Sequence, residues 1–261
     1  MTTTISVAIA EGIGTLTLCP AVEGKPPTFD HAVLEQMDGA VGRLEEAAHA
    51  GTLRLLFVRS ASPKFFCVGA DLGSLRSLDA QSIIPWVEHG HRVFNRLEDL
   101  PVPVIARVEG YTLGGGLELA MACDAIFAHE KAQFGHTEAK LGFVAGWGGS
   151  WRLPRRVGLA RAKVMFFTGQ ILDAAEARRI GLVEFVGTGD ALDEHCRQFV
   201  EAVRSGSDAS HSGHKRLLAA AFSASRDEGG RAEAAQSTQC AGSPSTRQRL
   251  ADFFATRSKK T

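Results

Sequence analysis

The 261-residue sequence lacks several features that would place it in a specialised class of protein. No apolar run approaches the ~20 residues that a helix needs to cross a bilayer, so we expect no membrane partner. The 29 Lys and Arg residues equal the 29 Asp and Glu residues in number. Because sequence-independent nucleic-acid binding depends on excess positive charge, this balance argues against a nucleic-acid partner.

Paired cysteines are also missing. The five cysteines are widely spaced and no Cys-x-x-Cys pair occurs, which predicts free thiols that are buried or half-buried, and neither a zinc site nor a dithiol redox site. The N-terminal residues have neither the basic segment nor the apolar stretch of a signal peptide. We therefore expect a cytoplasmic protein with reduced thiols and no bound metal.

Glycine, in contrast, is abundant and unevenly distributed. The chain has 28 glycines, and ten of them fall within residues 110–158, about twice the number that an even spread would place there. Glycine permits close backbone approach and unusual turns. The cluster therefore predicts a rigid site built largely from backbone atoms.

Strand-like and helix-like segments alternate along the first 160 residues. Short apolar runs predict strands at 5–10, 14–18, 53–60, 102–110 and 124–130. Periodic apolar positions predict helices at 30–48 and 80–99 and after the glycines at 114–116, whereas 62–75 and 132–158 are predicted to be loop or turn-rich. Repeated strand, glycine turn and helix are typical of an α/β fold with parallel strand pairing.

The pattern becomes mostly helical after about residue 160. Helices are predicted at 160–168, 174–180, 191–204, 212–224, 227–240 and 246–255, with one short strand at 183–186. We therefore expect a core over residues 1–204 and a C-terminal helical region over residues 205–261. That region has nine Lys and Arg against five Asp and Glu residues, which for any single Lys favours a solvated surface position.

A strand, three glycines and a helix start follow one another in GYTLGGGLELA, residues 110–120. Backbone N–H groups at a helix start have no intrahelical acceptor, and they can bind a phosphate or a developing oxyanion. The glycines would equally suit close packing of helix on strand, and the motif alone leaves both interpretations open. It matches neither G-x-G-x-x-G nor G-x-x-x-x-G-K-[ST], which disfavours a nucleotide site.

Two carboxylates and one further backbone donor are candidates for chemistry near this helix. Glu118 has apolar neighbours, and burial would suit it to proton transfer, although a glutamate in a first helical turn more commonly complements the helix dipole. Glu138 follows after one helix and one strand, which can return the chain to the same cleft and pair the two carboxylates. Ala70 lies in a loop that leaves a buried strand and can present another N–H group.

Three ordered segments resemble the enoyl-CoA hydratase/isomerase (crotonase) superfamily: FFCVGADL, PVIARVEGYTLGGGLELAMACDAIFAHEKAQFG and TEAKLGFVAGWGGSWRLPRRVG. The resemblance runs through almost the whole chain and is densest over residues 65–158, and SPSTRQRLADFFATR resembles the family's C-terminal helix. It implies a crotonase-type spiral of ββα units with a C-terminal helical trimerisation region. It further implies a homotrimer or a dimer of trimers.

The resemblance also implies specific roles for the candidate residues. The N–H groups of Ala70 and Gly115 correspond to an oxyanion hole for a thioester oxygen. Glu118 and Glu138 correspond to the two hydratase glutamates, and Gly146 to a position whose N–H helps to hold the water molecule. The residues expected to bind the acyl-CoA substrate are Ala70, Asp71, Leu72, Gly114, Gly115 and Trp147.

The sequence departs from the family pattern around the expected acyl-CoA site. Residues 19–30 lack the N-R-P…N-A-L segment that borders the CoA site, which leaves the adenine and phosphate contacts open. Trp147 replaces a small residue and would adjoin the acyl group, whereas for Trp151, which replaces a polar one, we favour core packing. We expect His136 to shape its loop by hydrogen bonding and not to act as a base. These changes leave room for a cyclic or branched acyl group.

The expected function is that of an enoyl-CoA hydratase. Such an enzyme adds water in a syn fashion to a 2-trans-enoyl-CoA and gives a 3-hydroxyacyl-CoA, with coenzyme A carried by the substrate and no other cofactor. The alternatives are another reaction of the superfamily (double-bond isomerase, C–C lyase or decarboxylase) and a non-catalytic subunit that binds acyl-CoA. The presence of both Glu118 and Glu138 favours hydration.

Overall fold

Two β-sheets with helices packed on them make up the protein, whose computed structural model describes residues 3–258. The strands of that range are β1 Thr4–Ala10, β2 Ile13–Cys19, β3 Leu55–Ser60, β4 Phe65–Cys67, β5 Val104–Val108, β6 Tyr111–Leu113, β7 Ala125–His129, β8 Gln133–Gly135, β9 Ile171–Asp173 and β10 Phe185–Gly187. The helices are α1 His31–His49, α2 Leu72–Arg76, α3 Ile83–Glu98, α4 Gly115–Met121, α5 Gly149–Val157, α6 Leu159–Thr168, α7 Ala174–Arg179, α8 Gly189–Ser205, α9 Asp208–Ala219, α10 Arg226–Gly242 and α11 Pro244–Ser258. A 3-10 helix spans Glu138–Leu141.

The strands are distributed between the two sheets in a repeating order. The larger sheet has the order β1-β2-β3-β5-β7-β10, and the smaller has the order β4-β6-β8-β9. Neighbouring strands are parallel except in the pairs β1–β2 and β8–β9. One strand of each sheet and then a helix follow in sequence as β3-β4-α2, β5-β6-α4 and β7-β8-α5. This order confirms the predicted α/β fold of ββα units with C-terminal helices.

Several short elements differ from the prediction. The predicted loop over 62–75 contains β4 and α2, and the turn-rich segment over 132–158 contains β8, the 3-10 helix and α5. Strands of three residues are too short to show an apolar period. The sequence does not predict α5, because Pro154 lies in its interior, where proline removes a backbone hydrogen bond.

The glycine turn before α4 sets the distance between this helix and the smaller sheet. Gly114 precedes α4 with a positive φ of 52°, a conformation that favours glycine. A Cβ atom on Gly116 would lie 2.1 Å from the carbonyl oxygen of Cys67. The packing interpretation of these glycines is therefore correct for Gly116, and all seven residues of α4 are buried.

The C-terminal helices contribute little to the core of the described chain. Helix α10 has no buried residue, and Gly213 is the one buried residue of α9. Helix α8 continues to Ser205, next to the predicted boundary between residues 204 and 205. The division of the chain into a core and a C-terminal region remains a prediction.

The five cysteines are free thiols, as the sequence predicts. Cys67, Cys123 and Cys196 are buried, and Cys19 and Cys240 are half-buried. Burial raises the pKa of the Cys67 and Cys123 thiols to about 12, which keeps both protonated at neutral pH. Within residues 3–258, no helix is both long enough and apolar enough to span a membrane.

Candidate active site

A cavity of about 100 Å³ brings together most of the residues that the sequence singles out, and we call it the glutamate cavity. It lies where β4, α3, α4 and the 3-10 helix meet. The predicted site residues on its wall are Ala70, Leu72, Gly114, Gly115, Glu118, Glu138, Gly146 and Trp147. Asp71 is not on this wall. Its carboxylate caps α2 by accepting the Ser74 N–H at 2.8 Å. Its role in substrate binding remains a prediction.

Two backbone N–H groups on the cavity wall are free to bind an oxygen atom. Ala70 forms an isolated bridge with Phe29, in which the hydrogen bonds use the Gly69 carbonyl and the Asp71 N–H, so the Ala70 N–H donates to no described residue. Gly115 is the first residue of α4 and has no intrahelical acceptor for its N–H.

These two donors come from chain segments that pack directly against each other. A Cβ atom on Gly69 would lie 2.7 Å from the Gly115 nitrogen, and Gly69 itself has a φ of 91°. Only glycine permits both this approach and this backbone conformation without strain. Gly69 therefore brings the Ala70 loop against the start of α4, as a two-donor oxyanion site requires.

Glu118 is a buried carboxylate that is held by backbone donors. Its Oε1 atom accepts the N–H groups of Trp147 and Gly149, each at 2.7 Å. Its Oε2 atom accepts no hydrogen bond from the described part of the chain. The side chain is thus fixed through one oxygen, while the other is free for water or substrate in the cavity.

The pKa of Glu118 is raised, and burial is the main cause. The nearby Glu138 carboxylate raises the pKa further, whereas His136 and the two backbone donors lower it. A raised pKa makes the ionised carboxylate a stronger base than an exposed glutamate, which suits proton transfer near neutral pH.

Glu138 lies on the same cavity wall, at the start of the 3-10 helix, and 17% of its side chain is exposed. Its Oε1 atom is 3.2 Å from Nδ1 of His136, and its Oε2 atom is buried without a hydrogen-bond partner within residues 3–258. A Cβ atom on Gly114 would lie 3.4 Å from Oε1, so Glu138 packs against the glycine turn. Both predicted glutamates therefore reach one cavity.

Trp147 forms the inner wall of the cavity. Its indole is buried and fills space left by two glycines, since Cβ atoms on Gly90 and Gly115 would lie 2.2 Å and 2.6 Å from its ring. The ring centroid of Trp86 lies 5.3 Å away. Trp147 thus belongs both to the core and to the wall beside Gly115, and its expected contact with the acyl group remains a prediction.

The sequence did not predict the backbone donors that hold Glu118. Trp147 and Gly149 lie 29 and 31 residues after Glu118. Both belong to the segment over residues 132–158 that is predicted to be turn-rich. The two glycines at 148–149 stand before an amphipathic stretch, a pattern that predicts a helix start. The first N–H groups of a helix have no intrahelical acceptor, so this pattern could have predicted backbone donors here. The Gly146 N–H, which was expected to hold water, lies on the cavity wall, and this role remains a prediction.

A second and larger cavity of about 740 Å³ lies between α5 and α9 and contains none of the predicted catalytic residues. Two of its cations form ion pairs: Lys215 with Asp124, and Arg156 with Glu184. Trp151 lines this cavity and is exposed, with the Arg155 guanidinium 4.4 Å from its ring centroid. The predicted core packing of Trp151 is therefore wrong, because its side chain lies on the outer face of α5.

Solved structures share this fold over nearly the whole chain. An enoyl-CoA hydratase from Bacillus anthracis superposes with a TM-score of 0.88 and 30% identity, over 98% of this chain and 96% of that one. The corresponding values for a protein from Geobacillus kaustophilus titled enoyl-CoA hydrates are 0.90 and 27%, over 98% and 95%.

Sequence relatives match over a shorter span. The mitochondrial methylglutaconyl-CoA hydratase of Rattus norvegicus is 42% identical over 134 residues, which are 51% of this chain and 42% of that protein. The short-chain-enoyl-CoA hydratase of Clostridium acetobutylicum is 40% identical over 153 residues, 59% of this chain and 58% of that protein. Residues 27–260 match the family model described as enoyl-CoA hydratase/isomerase, and the chain belongs to that family.

Proposed function

We propose that this protein is an enoyl-CoA hydratase that adds water in a syn fashion to a 2-trans-enoyl-CoA and gives a 3-hydroxyacyl-CoA. The observation that carries the proposal is the presence of Glu118 and Glu138 on one cavity wall with the unpartnered N–H groups of Ala70 and Gly115. The names of the relatives, hydratases of enoyl-CoA and methylglutaconyl-CoA, agree with it.

The two N–H groups would activate the substrate. In the proposed complex the thioester oxygen accepts hydrogen bonds from Ala70 and Gly115, which stabilises the negative charge that develops on this oxygen when water attacks C3. Donors that are fixed in place need no reorganisation during the reaction. Each contributes about 3–4 kcal/mol of transition-state stabilisation.

The two glutamates would move the protons. Oε2 of Glu118 accepts a proton from the water molecule as its oxygen bonds to C3, while Oε1 keeps its two backbone hydrogen bonds. Glu138 then donates a proton to C2, so that H and OH are both added and the C2–C3 π bond is lost. We propose that the Gly146 N–H helps to hold the water.

Further parts of the proposal concern binding and assembly. Coenzyme A would be carried by the substrate, contacting Asp71 and Leu72 at the cavity mouth, and neither a metal nor another cofactor would take part. We also propose a cytoplasmic homotrimer or dimer of trimers. Its support is the set of exposed apolar side chains on α6, Leu159, Val164 and Phe167, which subunit contact would cover.

An assay with crotonyl-CoA tests the proposed function. We expect the absorbance of the conjugated enoyl thioester to fall and the product to gain the mass of one water molecule. A 3-enoyl-CoA converted to the conjugated ester without mass change would indicate an isomerase. Binding of crotonyl-CoA without turnover of this or any longer enoyl-CoA would overturn the hydratase proposal in favour of a binding subunit.

Trp147 would also limit the acyl group. Its indole lies against Gly115, so an acyl chain that extends from a thioester held at that N–H meets this wall. A methylene group that does not fit costs about 1–3 kcal/mol in kcat/KM. We therefore infer that the cavity accepts short acyl groups better than long ones.

Replacing Trp147 with Ala should shift the chain-length preference. We expect the ratio of kcat/KM for crotonyl-CoA to that for decenoyl-CoA to fall about tenfold or more, since the truncation opens space beside Gly115. The variant should also lose about 3–5 kcal/mol of unfolding free energy, as for other buried Trp truncations. Trp151→Ala is the matched control, because Trp151 is exposed outside the cavity. An unchanged ratio in a folded Trp147→Ala protein would show that the indole does not limit the acyl group.

A further inference from the structure

His136 is a buried imidazole that the proposed reaction does not use. It follows β8 directly, and its side chain has no exposed surface. Its Nδ1 atom lies 3.2 Å from Oε1 of Glu138, and its Nε2 atom is buried with no hydrogen-bond partner within residues 3–258. Burying a polar ring costs free energy unless its hydrogen bonds are made. The contact with Glu138 satisfies one of the two ring nitrogens.

Both glutamates of the cavity face this imidazole. Glu138 contacts Nδ1 directly. A Cβ atom on Gly149 would lie 2.9 Å from Cε1 of His136 and 3.1 Å from Oε1 of Glu118, so the ring and the second carboxylate flank the same glycine of α5. The electrostatic interaction of His136 with Glu118 lowers the pKa of that carboxyl group.

The other neighbours of the ring are apolar or remote from its nitrogens. Phe166 of α6 lies with its ring centroid 4.7 Å from that of the imidazole. The Lys140 side chain packs at Gly169, where the His136 carbonyl also lies, so this cation is beside the backbone of His136. Glu118 and Glu138 are therefore the titratable groups that face the imidazole.

The hydrogen bond defines the position of Glu138. A neutral imidazole that donates its Nδ1–H to Oε1 leaves Nε2 unprotonated, which is the less costly state for a buried nitrogen without an acceptor. With Oε1 held, the glutamate loses the rotational freedom that an unpaired side chain keeps. Its unpartnered Oε2 is then the oxygen that is free to carry a proton.

We propose that His136 is a positioning residue that holds Oε1 of Glu138 and presents its Oε2 to the substrate. The inference rests on the proposed hydration for its role in turnover. In the competent form a proton is on Oε2 and is donated to C2.

Kinetics of two variants test the positioning role. His136→Leu removes the donor, and we expect kcat for crotonyl-CoA to fall about 100-fold with little change in KM, as for a misplaced catalytic group. His136→Gln restores a donor to Oε1 of Glu138, so part of the lost kcat should return, which a merely structural loss at this position would not predict. A His136→Leu protein within twofold of wild-type kcat would overturn the role, as would a His136→Gln protein no more active than His136→Leu.

Nitrogen NMR of histidine-labelled protein tests the hydrogen bond without turnover. We expect the His136 signals of the wild type to indicate an Nδ1–H tautomer. An Nε2–H tautomer would refute the hydrogen bond to Glu138, even if the enzyme hydrates crotonyl-CoA. An Nδ1–H tautomer in a protein that hydrates no enoyl-CoA would retain the hydrogen bond and reject the proposed function.

Discussion

Replacement of Glu118 by Gln is expected to lower kcat for crotonyl-CoA hydration by about 10²–10⁴-fold, the usual contribution of a positioned acid or base. The amide oxygen of Gln can still accept the N–H groups of Trp147 and Gly149, so the local fold should be kept. What the amide cannot do is accept the proton of the attacking water. Steady-state kinetics with crotonyl-CoA measure the effect, and a kcat within tenfold of wild type would exclude Glu118 as the base.

Glu184→Gln is a matched control for this experiment. Glu184 is also a carboxyl group whose pKa burial raises, and its Oε2 atom accepts the Ile126 N–H at 2.6 Å. It does not line the glutamate cavity. Loss of activity in Glu118→Gln but not in Glu184→Gln would therefore follow from the position of the carboxylate and not from the removal of a charge that accepts a backbone hydrogen bond.

Glu118→Gln should lose activity but gain free energy of unfolding relative to the wild type as pH rises. The folded protein raises the pKa of Glu118 and so binds its proton more tightly than the unfolded chain does. The free energy of unfolding must then decline as pH rises from the unfolded pKa of about 4.3 through the raised folded value. Glu118→Gln removes this decline. In urea titrations its stability relative to wild type should grow with pH over that window.

The sequence predicts the parts of this site that depend on local chemistry. A strand, a glycine turn and a helix suffice to place a free N–H at Gly115 and a carboxylate one turn later at Glu118. The return of the chain through β7 and β8 places Glu138 beside them, because parallel strands of adjacent units begin and end at the same edges of their sheets.

The parts that the sequence does not predict depend on long-range packing. The donors to Glu118 are Trp147, two residues before α5, and Gly149, the first residue of α5. The sequence does not predict this helix, because Pro154 lies in its interior. The burial of His136 depends on Phe166 and Gly149, which belong to two later helices. The site therefore has a third titratable side chain, where the glycine-rich sequence predicts a site with two glutamates alone.

Replacement of Ala70 by Pro should separate the oxyanion site from the proton chemistry. Proline removes one backbone N–H, and the Ala70 N–H donates to no described residue, so no structural hydrogen bond is lost. The flanking bonds, Phe29 N–H to the Gly69 carbonyl at 2.9 Å and Asp71 N–H to the Phe29 carbonyl at 2.7 Å, can remain. The preceding Gly69 is the residue type least restricted by a following proline.

We expect Ala70→Pro to lower kcat for crotonyl-CoA by about 10²–10³-fold, the usual effect of losing one oxyanion donor. Ala70→Gly keeps the N–H and should lose far less, which separates the hydrogen bond from the methyl group. Infrared spectra of a bound acyl-CoA supply a direct readout, since a polarised thioester carbonyl absorbs at lower frequency. That shift should shrink in Ala70→Pro and persist in Glu118→Gln, because the glutamate acts on water and not on the carbonyl. An Ala70→Pro protein with wild-type kcat and an unchanged carbonyl frequency would place the thioester oxygen elsewhere in the cavity.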